Sequence, residues 1–427
     1  MAQPVNAIEV RIWGMRVGAV ALDPPLGHYA FEYEPAFAAR GIELAPLMMP
    51  TTRGRAPFIF PALPVTTYRR LPPMLADALP DRFGNALVDA YLQREGVRAV
   101  DITALDRLAY MGQRSFGALE FRPLRGPRAR KSVALDMNEL VTSARLAVHG
   151  SLDGDAHAKA ALANIIQVGT SAGGARAKAA IAWNPASGEV CTGQFDVEPG
   201  FEHWLLKFDG VGNDSELGDS QHYGRIEYAY HRMAVAAGIG MSECRLLEEN
   251  GRAHFMTRRF DRTGNVGHHL QSLCAIAHLD FNQRGTHDYS QYLMTIDALR
   301  LGDVARQEAF RRVAFNVMAA NCDDHTKNHA FMLEQGKPWA LAPAYDVTHA
   351  YNPRGQWTYQ HLMSVEGKFI GITRADLLRV ADRFRVPSAK ASLDAVREAV
   401  RDWPRFGREA GLPADEIRRV GEDLNPL

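Results

Sequence analysis

Cysteine is scarce, with four residues in 427 (Cys191, Cys244, Cys274 and Cys322) and no CxxC pair. That density excludes a disulfide framework and predicts free thiols in a reducing compartment. Long apolar runs are missing too: none approaches 18 residues, and the opening MAQPVNAIEVRIW lacks a basic segment followed by an apolar core. A soluble, cytoplasmic protein with no membrane partner is expected. Charge of one sign is also absent. Lys plus Arg and Asp plus Glu each number 49, for a net charge of zero and a pI near 7.3, which excludes an overall electrostatic clamp on nucleic acid. Lysine itself is rare, eight against 41 Arg. A Lys near a Gly-rich loop is therefore a candidate point charge for phosphate.

What is present is the make-up of a globular protein: 46% hydrophobic, 9% aromatic and 23% charged residues. The length suggests roughly two to three folding units. Residues 8–34 alternate as short strands around a Gly14-Met15 turn. From about residue 71 the chain turns helical, with Leu87, Ala90, Tyr91 and Leu92 forming a stripe after Pro80-Asp81. LRGPRARKS (124–132) has the composition of a linker. RAKAAIAWN (176–184) and HWLLKF (203–208) read as strands, and RIEYAYHRMAVAAG (225–238) as a helix closed by Gly238. Beyond about residue 262 the chain reads as mainly helical.

Three constellations can carry chemistry. In VGTSAGGARAKAAIAW (168–183), Gly169, Gly173 and Gly174 would let backbone N–H groups turn toward an anion, or would simply make a tight turn. In HWLLKFDG, Lys207 shares a strand face with Leu205 while Trp204, Leu206 and Phe208 take the other. Its ammonium needs a partner, for which Glu227 on the next helix is a candidate. In NCDDHTKNHAFML (321–333) and LAPAYDVTH (341–349), Asp323, Asn328 and Asp346 supply a carboxylate to orient or deprotonate a hydroxyl, and two oxygen donors for Mg²⁺. Lys327 would sit against the transferring phosphate. A competing reading makes His325 and His329 zinc ligands with Asp323 or Asp324.

Taken in order, the Gly-rich loop, strand Lys, helix Glu, D-D-H-T-K-N and A-Y-D-V resemble the HipA family of serine/threonine kinases, toxins of bacterial toxin–antitoxin pairs. LPPMLADALPDRFGN (71–85) resembles the family's amino-terminal domain and TRRFDR (257–262) its hinge. The resemblance implies an α+β, protein-kinase-like two-lobed fold. A β-rich amino-terminal domain would span 1–125, a kinase N-lobe with the Gly-rich loop 133–260, and a helical C-lobe 261–427. It implies ATP and Mg²⁺ as cofactors, with Asp323 as the catalytic aspartate and Asn328 and Asp346 as metal ligands. Lys207, held by Glu227, would reach the α and β phosphates. Gly173, Gly174, Ala175, Lys178 and Lys327 would line the nucleotide, and Arg258 and Phe260 would offer backbone groups to adenine. Ser171, or its neighbour Thr170, matches the serine that family members phosphorylate in this loop, and phosphate there would repel the ATP phosphates. Asp324 adds a second acid where some members carry a small residue.

The resemblance further implies a small helix-turn-helix antitoxin partner, HipB-like, that reaches DNA on the chain's behalf, and a protein substrate such as an aminoacyl-tRNA synthetase. Two other readings remain. One is a small-molecule phosphotransferase, because antibiotic and sugar kinases use similar Asp/Asn/Asp sets. The other is a non-catalytic nucleotide-binding partner in a repressor complex, against which stands the competent residue type at every catalytic position.

Overall fold

A computed structural model describes residues 5–53, 56–127, 134–148, 165–166, 168, 177–209, 222–249 and 251–427, with backbone only at 82–83 and 145–148. The expected α+β class holds: strands dominate the amino-terminal region and helices the carboxyl-terminal part. The chain divides into two compact units. One is drawn from 1–212, 258–271 and 333–337, the other from 213–257, 272–332 and 338–427.

In the first unit, β1 (Ala7–Ile12), β2 (Met15–Asp23), β3 (His28–Tyr33) and β4 (Leu119–Arg122) form an antiparallel sheet ordered β3-β2-β1-β4. The two-residue period puts Ile8, Val10 and Ile12 on one face, and all three are fully buried. The first turn falls one residue earlier than Gly14-Met15. Ile12 pairs with Met15, leaving Trp13 (φ 47°) and Gly14 (φ 75°) as the central residues. A two-residue hairpin whose twist matches its strands needs positive φ at both places, and Gly supplies one of them freely. The strained Trp13 is steadied by its indole N–H, which donates to Gly267 O at 2.8 Å.

Beneath this sheet Tyr33 meets Phe31, Phe37 and Phe58 with ring centroids 4.9, 6.1 and 5.8 Å away, each pair adding about 0.5–1.5 kcal/mol to the area it buries. Helix α1 (Arg82–Arg94) starts where Pro80-Asp81 signals, with Asp81 Oδ1 accepting the Gly84 N–H at 2.7 Å. Helix α2 (Ala104–Met111) opens with a Thr103/Asp106 capping box. Further along, β5 (Lys178–Trp183) pairs antiparallel with β6 (Val190–Thr192) and with β7 (Glu202–Lys207). Trp204 and Leu206 are fully buried, as the strand alternation requires.

The TRRFDR segment is tied to β4's approach by charge. Asp261, 1% exposed, accepts from Arg259 Nε and Nη2 at 2.9 and 2.6 Å, from Arg262 Nη1 at 2.8 Å and from the Gly117 N–H at 2.8 Å. Arg259 also lies over the Phe116 ring at 4.2 Å. Burial pushes the Arg262 guanidinium down to about 10, while the two guanidiniums hold the Asp261 carboxyl well below the usual range against its desolvation.

The second unit begins with α3 (Tyr223–Ala236) and the hairpin of β8 (Cys244–Glu249) and β9 (Arg252–Arg258). Gly224 lets helix and hairpin touch: a Cβ there would stand 2.2 Å from Ala253 O. Helices α4 (Tyr289–Ala298), α5 (Gly302–Met318), α6 (Arg374–Arg383), α7 (Ala389–Arg401), α8 (Trp403–Glu409) and α9 (Ala414–Asp423) follow. The carboxyl-terminal part is less uniformly helical than the sequence suggests. Short strands interrupt it, among them the expected Ala330–Leu333 and also Trp339–Leu341. The unit's core packs on Tyr230, whose ring meets Trp403 at 5.3 Å and Phe315 at 6.2 Å, and whose hydroxyl donates to Ala319 O at 2.6 Å. All four cysteines are buried thiols, and no helix among the described residues is long and apolar enough to cross a membrane.

Candidate active site

The loop from Ala319 to His329 leaves α5 and turns through a short 3₁₀ segment, Thr326–Asn328, into the strand Ala330–Leu333. Ala320 takes φ 51° at the exit. The Thr326 hydroxyl donates to Leu279 O at 2.7 Å, and the Leu273 N–H to His329 O at 2.7 Å, so the loop's far side is fastened within the unit.

Asp323 and Asp324, adjacent in sequence, diverge in the structure. Asp324 is fully buried. Its Oδ1 accepts the Leu362 N–H at 2.7 Å, and its Oδ2 accepts the Tyr289 hydroxyl at 2.6 Å and His361 Nδ1 at 2.9 Å. The chain continues inward: Asn316 Nδ2 donates to the Tyr289 oxygen at 3.0 Å and Asn321 Nδ2 to Asn316 Oδ1 at 2.9 Å. Burial beside Asp324 drives the Tyr289 hydroxyl's pKa well above its ordinary value, so it stays a donor. Asp323 keeps a 40% exposed carboxylate. Its Oδ1 accepts the Trp357 indole N–H at 2.9 Å and lies 3.7 Å from His325 Nε2.

Asn328 is set by the same loop. Its Nδ2 donates to the Asp323 backbone O at 2.7 Å, which leaves Oδ1 as the amide atom not spent on the loop. Asp346 sits on a second loop in a left-handed conformation, φ 53°. Strain of this kind at a non-glycine residue costs about 1–3 kcal/mol and gathers at functional sites. The two loops are joined by the Tyr345 hydroxyl, which donates to Lys327 O at 2.5 Å, and the Ala344 N–H donates to Gly240 O at 2.8 Å just before the turn. The Lys327 ammonium lies 4.9 Å from the Phe281 ring centre. Asn328 and Asp346 together offer hard oxygen donors, a carboxamide and a carboxylate, of the kind Mg²⁺ takes beside water and substrate phosphates.

The zinc alternative finds no support. His329 is enclosed by the Tyr289 and Tyr292 rings at 5.7 and 4.6 Å, and burial pushes it down to about 4. His325 packs on Phe281 at 5.3 Å. Among the described residues no three His, Cys, Asp or Glu gather as a metal cluster.

The other sequence candidates are described unit by unit. Glu227 is buried in the second turn of α3, in the second unit. Lys207 ends β7, in the first, half-buried and directly opposite Lys178 in the register. Lys178 begins β5 in the same unit. It is 2% exposed, with Nζ 3.2 Å from Asp81 Oδ2. An ammonium this deep requires a carboxylate, and the α1 cap supplies one. The Arg258 side chain is half exposed and lies 3.2 Å from Glu202, while Phe260 is half-buried. Gly169, Thr170, Ser171, Gly173, Gly174 and Ala175 lie outside the described residues.

Sequence reasoning assigned no role to Tyr289, Asn316, Tyr345, Trp357 or His361. Asn316 did leave a signal, as a polar residue amid the apolar face of EAFRRVAFNVMAAN.

Over residues 170–404 the chain matches the family model described as HipA-like C-terminal domain, and over 8–122 that described as HipA N-terminal domain. No curated protein matches the sequence significantly. Among solved structures, a chain of the Shewanella oneidensis MR-1 toxin–antitoxin complex of HipA, HipB and operator DNA is similar with a TM-score of 0.64 at 16% identity, over 97% of this chain and 94% of that chain. The Helicobacter pylori proinflammatory kinase CtkA gives a TM-score of 0.36 at 12% identity, over 59% of this chain and 90% of that one. The first of these likenesses is one of fold.

Proposed function

The chain belongs to the HipA family, whose carboxyl-terminal domain alone matches more than half of it, and from that premise we propose a Mg²⁺-ATP-dependent serine/threonine protein kinase acting as the toxin of a toxin–antitoxin pair. The observation that carries this reading is the division of labour at the D-D-H-T-K-N loop. One acid is buried as a fastener, its neighbour is held out with an accessible carboxylate, and the Asn328 amide is pinned so that its oxygen is available.

In the proposed reaction the acceptor hydroxyl attacks the γ-phosphorus, its proton passes to Asp323, and the bond to ADP breaks. Asn328 and Asp346 would hold Mg²⁺, which when bound neutralises charge on the ATP phosphates. Lys207, oriented by Glu227, would steady the α and β phosphates, and Lys327 would face the transferring group. Arg258 and Phe260 would meet adenine, Gly173, Gly174 and Ala175 would cradle phosphate, and Ser171 would be the self-phosphorylated residue. We place the domains at 1–125, 133–260 and 261–427. The partner would be a small helix-turn-helix antitoxin like the HipB of the Shewanella complex, with DNA reached through it. The target would be a translation component such as an aminoacyl-tRNA synthetase, to which a chain of zero net charge is suited.

The test is transfer of label from γ-³²P-ATP with Mg²⁺. Label on Ser171 or on an added synthetase, lost by about 10² to 10³ in rate in Asp323→Ala, supports the proposal. Label on small molecules alone points to a small-molecule phosphotransferase, and no hydrolysis or transfer at all points to a non-catalytic nucleotide binder.

A further inference from the structure

The segment after Asp346 grips both acids of the catalytic loop. Residues 352–358 close on themselves, with the Asn352 N–H donating to Thr358 O at 3.1 Å and the Gly355 N–H to Asn352 O at 3.0 Å, and Thr358 is buried at the base. Three and four residues further, His361 and the Leu362 N–H hold Asp324. That anchor fixes the place from which Trp357 reaches Asp323. The indole is itself backed by Arg284, whose guanidinium carbon lies 5.7 Å from the ring centre.

The polarity of the contact is specific. Both neighbours of the Asp323 carboxylate, the Trp357 N–H and His325 Nε2, address Oδ1. A hydrogen bond to one oxygen narrows the otherwise broad terminal torsion of a carboxylate, and the second oxygen is then presented mainly in one direction. We infer that Trp357 is a positioning residue for the transfer reaction: its indole N–H locks Oδ1 of Asp323 so that Oδ2 is the atom that receives the acceptor hydroxyl's proton. The inference rests on the kinase reading above and adds to it a group outside the nucleotide and metal contacts proposed there.

The experiment uses the full chain. Trp357→Phe removes the donor, and benzothienylalanine incorporated at 357 keeps the bicyclic shape while replacing N–H by sulfur, so a packing effect and a hydrogen-bond effect separate. Self-labelling from saturating Mg²⁺-γ-³²P-ATP is timed in a single turnover, and ATP affinity is measured by calorimetric titration. Both variants should lose about tenfold in transfer rate, the equivalent of about 1.4 kcal/mol, with ATP affinity within about twofold of wild type. A benzothienylalanine variant as fast as wild type overturns the inference. So does a faster one, which would make the indole a latch over Asp323. If wild type labels and Asp323→Ala does not, equal rates in the Trp357 variants sink only this inference. If wild type itself transfers no label, the kinase reading falls and carries this one with it.

Discussion

Removing Asp324 and removing Asp323 should damage the chain in opposite ways. In Asp324→Ala the Leu362 N–H, the Tyr289 hydroxyl and the His361 ring lose their common acceptor inside the fold. Each stranded donor costs about 1–3 kcal/mol, and loss of one member of a buried charged network about 3–5 kcal/mol in total. For a unit of this size, about 4 kcal/mol lowers the unfolding midpoint by on the order of 10 °C. Asp324→Asn keeps the shape and one acceptor but sets an amide N–H against other donors, and should fall about midway. Asp323→Ala deletes a 40% exposed carboxylate with one strong hydrogen bond. It should cost no more than about 1 kcal/mol while slowing label transfer by about 10² to 10³.

Scanning calorimetry reads the midpoints, and amide exchange at Leu362 reads the fastener directly, since that N–H is protected by Asp324 itself. A midpoint for Asp324→Ala within about 3 °C of wild type, or a larger loss in Asp323→Ala, would refute the division of roles.

Three further outcomes follow from the buried charges. Lys178→Met strands Asp81 and should destabilise the first unit by about 3 kcal/mol in denaturant unfolding while leaving ATP affinity unchanged, whereas a Lys poised for phosphate would do the reverse. His231, His269 and His329 are all pushed down to about 4 by burial. They are neutral when folded and bind protons when unfolded, so stability should fall from about pH 6.5 toward pH 4, by about 2 kcal/mol per histidine at pH 5. Equal stability at pH 7 and 5 would contradict their burial. Asp261→Asn should release the Gly117 N–H and cost about 3 kcal/mol, detected as faster amide exchange at Gly117. Because the Asp261 carboxyl is held below its ordinary value, its contribution is complete above about pH 4 and is lost as the pH falls further.

The strands and helices were legible where one local rule decided them. Alternation placed β1 to β3, Pro80-Asp81 marked the start of α1, and apolar residues at three- and four-residue steps gave α3. The first turn slipped by one residue because Gly14 marks only one of two positive-φ positions, and the other fell on Trp13. The carboxylate beside Lys178 was not legible for a related reason. The rarity of Lys178 and its Gly-rich neighbourhood are local facts, while Asp81, its partner, lies 97 residues away in sequence. Asp323, Asn328 and Asp346 were visible because their chemistry is compressed into short strings. The groups that hold the loop's two acids, Tyr289 and His361 on Asp324 and Trp357 on Asp323, come from other segments and carry no spacing that a sequence window could register.

The D-D pair shows what the fold adds to such a string. A carboxylate that must meet a substrate hydroxyl has to stay accessible, so it cannot be fixed by many hydrogen bonds of its own. The neighbouring acid can be. Because Asp324 takes three buried donors, the backbone at Asp323 is immobilised one residue from the reacting group, and the same donors bring in the segment from which Trp357 reaches back to a single carboxylate oxygen. Rigidity is thus supplied to the exposed acid from behind and from one side, and its open oxygen is left for chemistry. On that argument Asp324 and Trp357 belong to the same device: cutting the Asp324 fastener should reproduce the Trp357 defect in transfer rate on top of its own loss of stability.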